Sequence, residues 1–335
     1  MGLPSRKIGP FELSAVSLGC MNLSHAYDVT PSEEDAGRLL NHALDRGVTM
    51  LDTAAIYGAG ANERLLGKSV MHRRSEFTLA SKCVLDLIDG NRVLDGRPET
   101  VTASLDRSLK RLGTDHIDLF YLHRLDRNVP IEESVGALVR AKEAGKIGHI
   151  GLSEMSAETV RLAHAVHPIA AVQSEYSITT RNVEIGVLDA CEELGIGFVA
   201  FSPVARGMLA GAVRNDDYAP GDLRLNMARF VEPNLTHNLE AVRAYEALAK
   251  EVGVTPAQLA IGWVLSRRSF VVALPGTRSP AHLDEDLGGA NVKLPPETVA
   301  AIDHIFSPGA IRGARYNGPT QAQIDTETFP DEELA

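Results

Sequence analysis

No stretch of this sequence approaches the roughly 20 consecutive apolar residues that span a bilayer. The opening MGLPSRKIGPFEL lacks the apolar core of a signal peptide, and Arg6 stands where a myristoylation motif wants Ser or Thr. There is no basic run, and the net charge of −11 argues against a nucleic-acid surface. The three cysteines, Cys20, Cys83 and Cys191, are scattered and form no CxxC. They read as reduced thiols, not as a disulfide framework or a metal site. HxH and HExxH are missing, and the pair His164 and His167 (HAVH) has no third ligand nearby, so no metal is expected. No GxGxxG follows the first apolar run, AVSLGCMNLS, which weighs against a dinucleotide-binding loop on an open sheet. No Ser/Gly-rich or Pro-rich linker divides the 335 residues, 44% of them hydrophobic. Together these absences lead to the expectation of a soluble cytoplasmic protein with one large core.

What is present is alternation. Eight short apolar runs end in a polar residue, Gly or Pro: 15–19, 49–52, 77–82, 118–123, 149–153, 171–175, 197–202 and 270–275. Runs of this kind suit parallel strands covered on both faces. Amphipathic helices are predicted between them. The segment 31–46 opens at Thr30-Pro31 and closes at Gly47; 97–113 aligns Val101, Leu105, Leu109 and Leu112 and stops at Gly113. Further helices are predicted at 134–145, 156–166 and 183–195, with two more, 239–253 and 255–267, before the eighth strand. The order predicts an α/β fold, a (β/α)8 TIM barrel with an N-terminal hairpin turning at Gly9-Pro10 and two additional helices. A doubly wound open sheet shares the alternation and is the runner-up. The long polar segment 203–237 follows a strand, which would place it over the barrel mouth, where barrel sites lie.

In such a barrel Asp52, Lys82 and His123 stand at the C-terminal ends of strands two, three and four, and Tyr57 hangs in the loop after strand two. Neighbouring strands lie about 4.8 Å apart, so these side chains can converge. A lysine ending an apolar strand needs a partner or must lose its proton, and Asp52 is the nearest acid. A charged Lys82 beside Tyr57 is expected to lower the phenol from its ordinary value toward the working pH. That would make it a general acid for a developing alkoxide, with His123 on the same oxygen. From the pattern alone, a structural ion pair and a histidine satisfied in a polar rim explain these residues as well.

DTAAIYG, SK at 81–82, DLFYLHRLD, IGLSE, QSEYS, FSPVARGML and PGTR, in that order over about residues 6–312, resemble the aldo-keto reductase family. The resemblance is to the bacterial and plant branch with HR after the fourth strand and GLSE after the fifth. It implies a (β/α)8 barrel that reduces aldehydes and ketones with NADPH. It implies a catalytic tetrad of Asp52, Tyr57, Lys82 and His123. Ser153 and Gln173 would meet the nicotinamide amide, and Phe201 would stack on its ring where relatives usually have Tyr. Ser202, Pro203, Val204, Arg206, Gly207 and Leu209 would follow the pyrophosphate, with Arg206 supplying charge. Gly276, Thr277 and Arg278 open a helix suited to a 2′-phosphate, and Glu285 matches an adenine contact. His282 replaces the usual Arg or Lys, and Asp286 the usual Asn. Glu154 stands where many relatives have Asn. Cys20, Met21, Asn22, Tyr27, Arg124 and residues 306–316 would line the carbonyl pocket, Met21 also reaching the cofactor; Arg124 hints at an anionic or polar substrate. A single barrel domain is thus expected over 1–312, followed by an acidic tail, 313–335, whose end frays.

The partner implied is a small carbonyl compound, with neither nucleic acid nor membrane; homo-oligomerisation is left open. A competing class is a redox-sensing regulatory subunit on the same fold, as in channel β-subunits. A metal-dependent barrel hydrolase is a third.

Overall fold

The alternating runs close into a parallel barrel in the computed structural model, which describes residues 2–27, 29–88 and 90–335. The hairpin comes first, β1 (Ser5–Ile8) and β2 (Phe11–Ser14), antiparallel around Gly9-Pro10 as predicted. The barrel begins at β3 (Leu18–Gly19), followed by α1 (Glu33–Asp45), β4 (Met50–Asp52), α2 (Ala61–Ser69) and β5 (Thr78–Cys83). A second hairpin, β6 (Leu85–Ile88) and β7 (Asn91–Leu94), precedes α3 (Pro98–Leu112) and β8 (Ile117–Leu122). Then come α4 (Ile131–Glu143), β9 (Ile147–Ser153), α5 (Ala157–Val166), β10 (Ala171–Glu175), α6 (Val187–Leu194) and β11 (Gly197–Phe201). Two helices, α7 (Asn234–Val252) and α8 (Pro256–Arg267), lead to β12 (Val271–Leu274) and on to α9 (Pro280–Gly288), α10 (Pro296–Ile305) and α11 (Gly318–Gln321); α8 packs on β12 as the barrel crossover, and α7 lies outside it against α10.

Eight strands pair in parallel in the order β12-β11-β10-β9-β8-β5-β4-β3. The ends meet: Val16 bridges Ala273, and the amides of Ser17 and Gly19 donate to the carbonyls of Ala273 and Pro275 at 2.9 and 2.8 Å. A closed barrel leaves no open edge, and the open-sheet alternative is overturned. Its interior holds Met50, Ala80, Leu119, Tyr121, Val199 and Val272, with Ile8 and Leu13 of the hairpin packed into the same cluster. Two glycines make that packing possible. A Cβ on Gly197 would meet Ile8 Cγ2 at 2.1 Å, and one on Gly151 would meet the Tyr121 ring at 2.3 Å. The larger cluster lies between strands and helices, where the stripe Val101, Leu105, Leu109 and Leu112 of α3 is buried.

Helix ends follow local chemistry. Gly113, at φ +70°, closes α3 in the left-handed conformation, and Thr255 with Gln258 forms a capping box on α8. The start of α1 differs from the expectation. Ser32, not Thr30-Pro31, is its cap, the hydroxyl accepting from the Asp35 amide at 3.1 Å. The segment 183–195 divides into a turn at Asn182–Glu184 and the shorter α6.

The expectation that the acidic end of the chain frays is corrected as far as residue 327, beyond which the side chains are largely exposed. Ala314, Arg315, Tyr316, Ile324 and Thr326 are buried, and Asp325 accepts from the Ser156 amide and hydroxyl and from Thr159 Oγ1 at 2.8–2.9 Å. An acidic segment is held here because it caps the exposed amides at the start of α5. No described helix is long and apolar enough to cross a membrane.

Candidate active site

Asp52 ends β4, Lys82 lies near the end of β5, His123 follows β8, and all three are buried. Asp52 is aligned with Ala80 of β5, so its carboxylate lies near the Lys82 amine. Lys82 Nζ donates to Asp52 Oδ1, to the Thr53 carbonyl at 2.9 Å and to Tyr57 Oη at 3.3 Å. Gln173 Nε2 donates to the other carboxylate oxygen, Asp52 Oδ2, at 2.9 Å. The small, buried residues Ala54 and Ala55 begin the turn that carries Tyr57 over the pair, and its amide donates to the Ala54 carbonyl at 3.1 Å. Gly58, Ala59 and Gly60 then all have positive φ, taking the chain sharply into α2. The Tyr57 and His123 rings meet edge to face, centroids 5.9 Å apart.

The electrostatics differ in one respect from the sequence expectation. Burial pushes Tyr57 above its ordinary value and outweighs the lowering by Lys82, which Asp52 partly offsets. The phenol is therefore protonated across the neutral range. Burial disfavours charge on Lys82 too, but Asp52 and Tyr57 overcome it and the ammonium persists. Burial, Arg124 and Lys82 together hold His123 well below its ordinary value, so its ring is neutral. The site thus combines a neutral phenol, a neutral imidazole and one cation.

A cavity of about 1220 Å³ opens above these residues. Met21, Tyr27, Asp52, Tyr57, His123, Arg124, Ser153, Gln173, Phe201, Ser202, Pro203, Val204, Arg206 and Gly207 line it. So do Gly276, Thr277, Arg278, His282, Glu285 and Asp286. Of the residues singled out in the sequence, Lys82 lies beneath the floor, Leu209 and Glu154 are buried and do not line the cavity, and of residues 306–316 Tyr316 alone lines it. The segment after β11 follows one wall as expected, with Ser202, Ala205, Arg206 and Gly207 at φ between +48° and +92°. Such a cluster of left-handed residues, three of them not glycine, is uncommon and belongs with ligand-binding loops. Arg278 crosses to the opposite loop, donating to the carbonyls of Tyr27 and Val29. Burial and neighbouring Glu285 push the Asp286 carboxyl up to about 8.

Arg206, expected to supply charge to the pyrophosphate, is already paired within the protein. Its guanidinium is a bidentate partner of Glu175 and also donates to Tyr316 Oη at 3.0 Å. Arg315 joins the same buried group, Nε on Glu175 at 2.8 Å and Nη2 on Glu154. Burial alone would raise Glu175, but Arg206 and Arg315 hold it well below the usual carboxylate range. Glu154, at φ +55°, also accepts from Thr326 Oγ1 at 3.0 Å, so it anchors the C-terminal segment and does not line the cavity.

His25 and Arg92, which no sequence motif singles out, also line the cavity. His25 lies 5.7 Å from the Tyr57 ring, in the loop after β3. Arg92 arrives on β7; the Asp89-Gly90 pair between two short apolar runs was the available hairpin signal. His164 Nδ1 accepts from the Ile169 amide at 3.2 Å, and among the described residues no three His, Cys, Asp or Glu side chains gather as a metal requires.

The Aldo/keto reductase family model matches residues 15–306. An NADP(+) aldo-keto reductase, yakc of Schizosaccharomyces pombe, is 40% identical over 98% of this chain and 99% of its own. A probable aldo-keto reductase of Glycine max is 40% identical over 91% of this chain and 89% of its own. Among solved structures, a glycerol dehydrogenase from Gluconobacter oxydans superposes with a TM-score of 0.82 at 27% identity, covering 98% of this chain and 99% of the other.

Proposed function

The chain belongs to the aldo/keto reductase family, and from that premise we propose that it is an NADPH-dependent reductase of aldehydes or ketones, with alcohol oxidation as the reverse reaction. The observation that carries this reading is the buried Lys82 ammonium, shared between Asp52 and the hydroxyl of Tyr57 at the floor of a cavity that His123 also lines.

The donor set suits a phosphorylated dinucleotide. The Ser153 hydroxyl, which accepts from Arg124 and keeps its own proton to donate, and the side-chain oxygen of Gln173 face the floor, the Gln173 amide nitrogen being committed to Asp52. Phe201 offers a flat apolar face, and Ser202, Pro203, Val204 and Gly207 allow close approach along the wall. Thr277, Arg278 and His282 gather at the start of α9, where a phosphate is favoured, with Glu285 and Asp286 beyond them. A bound NADPH would supply hydride to the carbonyl carbon.

The chain's own residues manage the oxygen. Tyr57 donates its proton to the oxygen as negative charge develops there. Lys82 stabilises the phenolate left behind, and Asp52 keeps Lys82 charged in a site that burial would otherwise neutralise. Neutral His123 has one ring N–H to orient the carbonyl, and no like charge to oppose the proton transfer.

The test follows NADPH absorbance with purified protein and a reactive aromatic aldehyde, against an NADH control. We expect NADPH to be oxidised faster than NADH. Bound NADPH without turnover of any aldehyde would favour a redox-sensing subunit, and failure to bind NADPH would overturn the proposal.

A further inference from the structure

Among the buried arginines facing the cavity, Arg124 is set apart by its partners. Arg206 is seated on Glu175, and Arg315 behind it on Glu154 and Glu175. Arg124 is only 7% exposed, yet its guanidinium donates to the His123 carbonyl at 2.6 Å and to Ser153 Oγ at 3.3 Å, both neutral. No described carboxylate pairs with it, and its Nε finds no partner among the described residues. A guanidinium so withdrawn from water calls for an anion.

Arg92 faces the same space from β7, and among the described residues its side chain donates only to Gln323 Oε1, at 3.1 Å. Arg92 is exposed at the rim, yet partial enclosure by the cavity wall and the charge of Arg124 both push it below its ordinary value, so two like charges act on one volume. The carboxylates lining the cavity do not answer them: Asp52 is held by Lys82, and Glu285 and Asp286 lie on α9 at the other end. A neutral amide beside Ser153 would bond Arg124 and leave its charge uncompensated.

We infer that the substrate end of the cavity selects carbonyl compounds bearing an oxyanion, a carboxylate or a phosphate, bound by Arg124 with Arg92 at the rim. This rests on the reductase reading above. Arg124 is the specificity-determining residue, its guanidinium fork matching two oxygens of the anion while the carbonyl lies against Tyr57 and His123.

The experiment compares kcat/KM for 4-carboxybenzaldehyde with that for its methyl ester, and for 4-formylphenyl phosphate with that for 4-methoxybenzaldehyde. We expect at least one anionic member to be preferred by roughly tenfold or more, mostly through KM, as a charge-assisted hydrogen bond allows. The pair with the larger ratio identifies the anion. Arg124→Gln should bring that ratio close to unity, and Arg92→Gln, at an exposed position, should lower it without depending on the first variant folding. Equal or better use of both neutral members by the wild type overturns the inference while leaving the reductase reading intact. Binding is read separately by calorimetry, with benzoate, phenyl phosphate and benzamide titrated into protein saturated with NADP+. Tighter binding of either anion, weakened by Arg124→Gln, supports the inference even if no aldehyde turns over. No preference for an anion overturns it.

Discussion

At the residue scale, the contest between burial and charge decides what each group does. Proximity to Lys82 would lower the Tyr57 phenol if it stood in water, but at the base of the cavity burial outweighs it. With Tyr57 above its ordinary value and His123 far below its own, neither titrates between about pH 7 and 9. Carbonyl reduction, followed as kcat/KM, should therefore be nearly flat across that interval; a bell centred there would place the acid elsewhere. Tyr57→Phe should lower kcat by roughly 10²–10⁴-fold, the usual contribution of a general acid, with NADPH affinity measured by fluorescence titration unchanged. Lys82→Met leaves Asp52 buried without its cation and should cost about 3–5 kcal/mol in urea unfolding, as well as the activity.

At the scale of elements, the C-terminal segment behaves as part of the site's wall. Tyr316, Asn317 and Thr320 line the cavity, and Arg315 ties the segment to Glu154 at the end of β9 and to Glu175 on β10. The pairs are buried, so removing one partner is far more harmful than losing a surface bridge. Arg315→Met should destabilise the protein by about 3–5 kcal/mol. It should also raise amide hydrogen exchange across 313–327 more than across α3, whose packing it does not touch. Exchange that rises equally in both would mean that the segment is not held locally. The hairpin β6–β7 has a comparable role on the other side, since it carries Arg92 to the rim.

At the scale of the whole molecule, two buried carboxyls tilt stability in opposite senses with pH. Glu175 is held below its ordinary range, so its contribution is present above about pH 4.5 and is lost as pH falls toward the folded value. Asp286 is pushed up to about 8, so its contribution is present below its ordinary value and is lost as pH rises through that of the folded state. Within that window the loss approaches about 1.4 kcal/mol per pH unit. Urea unfolding at pH 5, 6.5 and 8 should show stability falling with pH, and Asp286→Asn should flatten the fall. An unchanged slope in the variant would assign the dependence to other groups.

The sequence by itself predicted the eight covered strands and the barrel, with an open sheet as the alternative, while the assignment of Asp52, Tyr57, Lys82 and His123 to a tetrad came from the family resemblance. Period and spacing are local properties: a short run apolar on both faces must be covered on both, and a charged residue at its exit must find a partner at the mouth. All eight runs became barrel strands, and Asp52, Tyr57, Lys82 and His123 came together. What only the tertiary structure decided were matters of long-range burial and pairing. The pairing of Arg206 was not legible because Glu175 and Tyr316 reach it from distant parts of the chain. Tyr57 looked acidic because the depth of its enclosure is not written in its neighbours. The tail looked frayed because its acids find amides and arginines only after the barrel has closed. Local chemistry reads the elements; which charges lose their water depends on what the rest of the fold places over them.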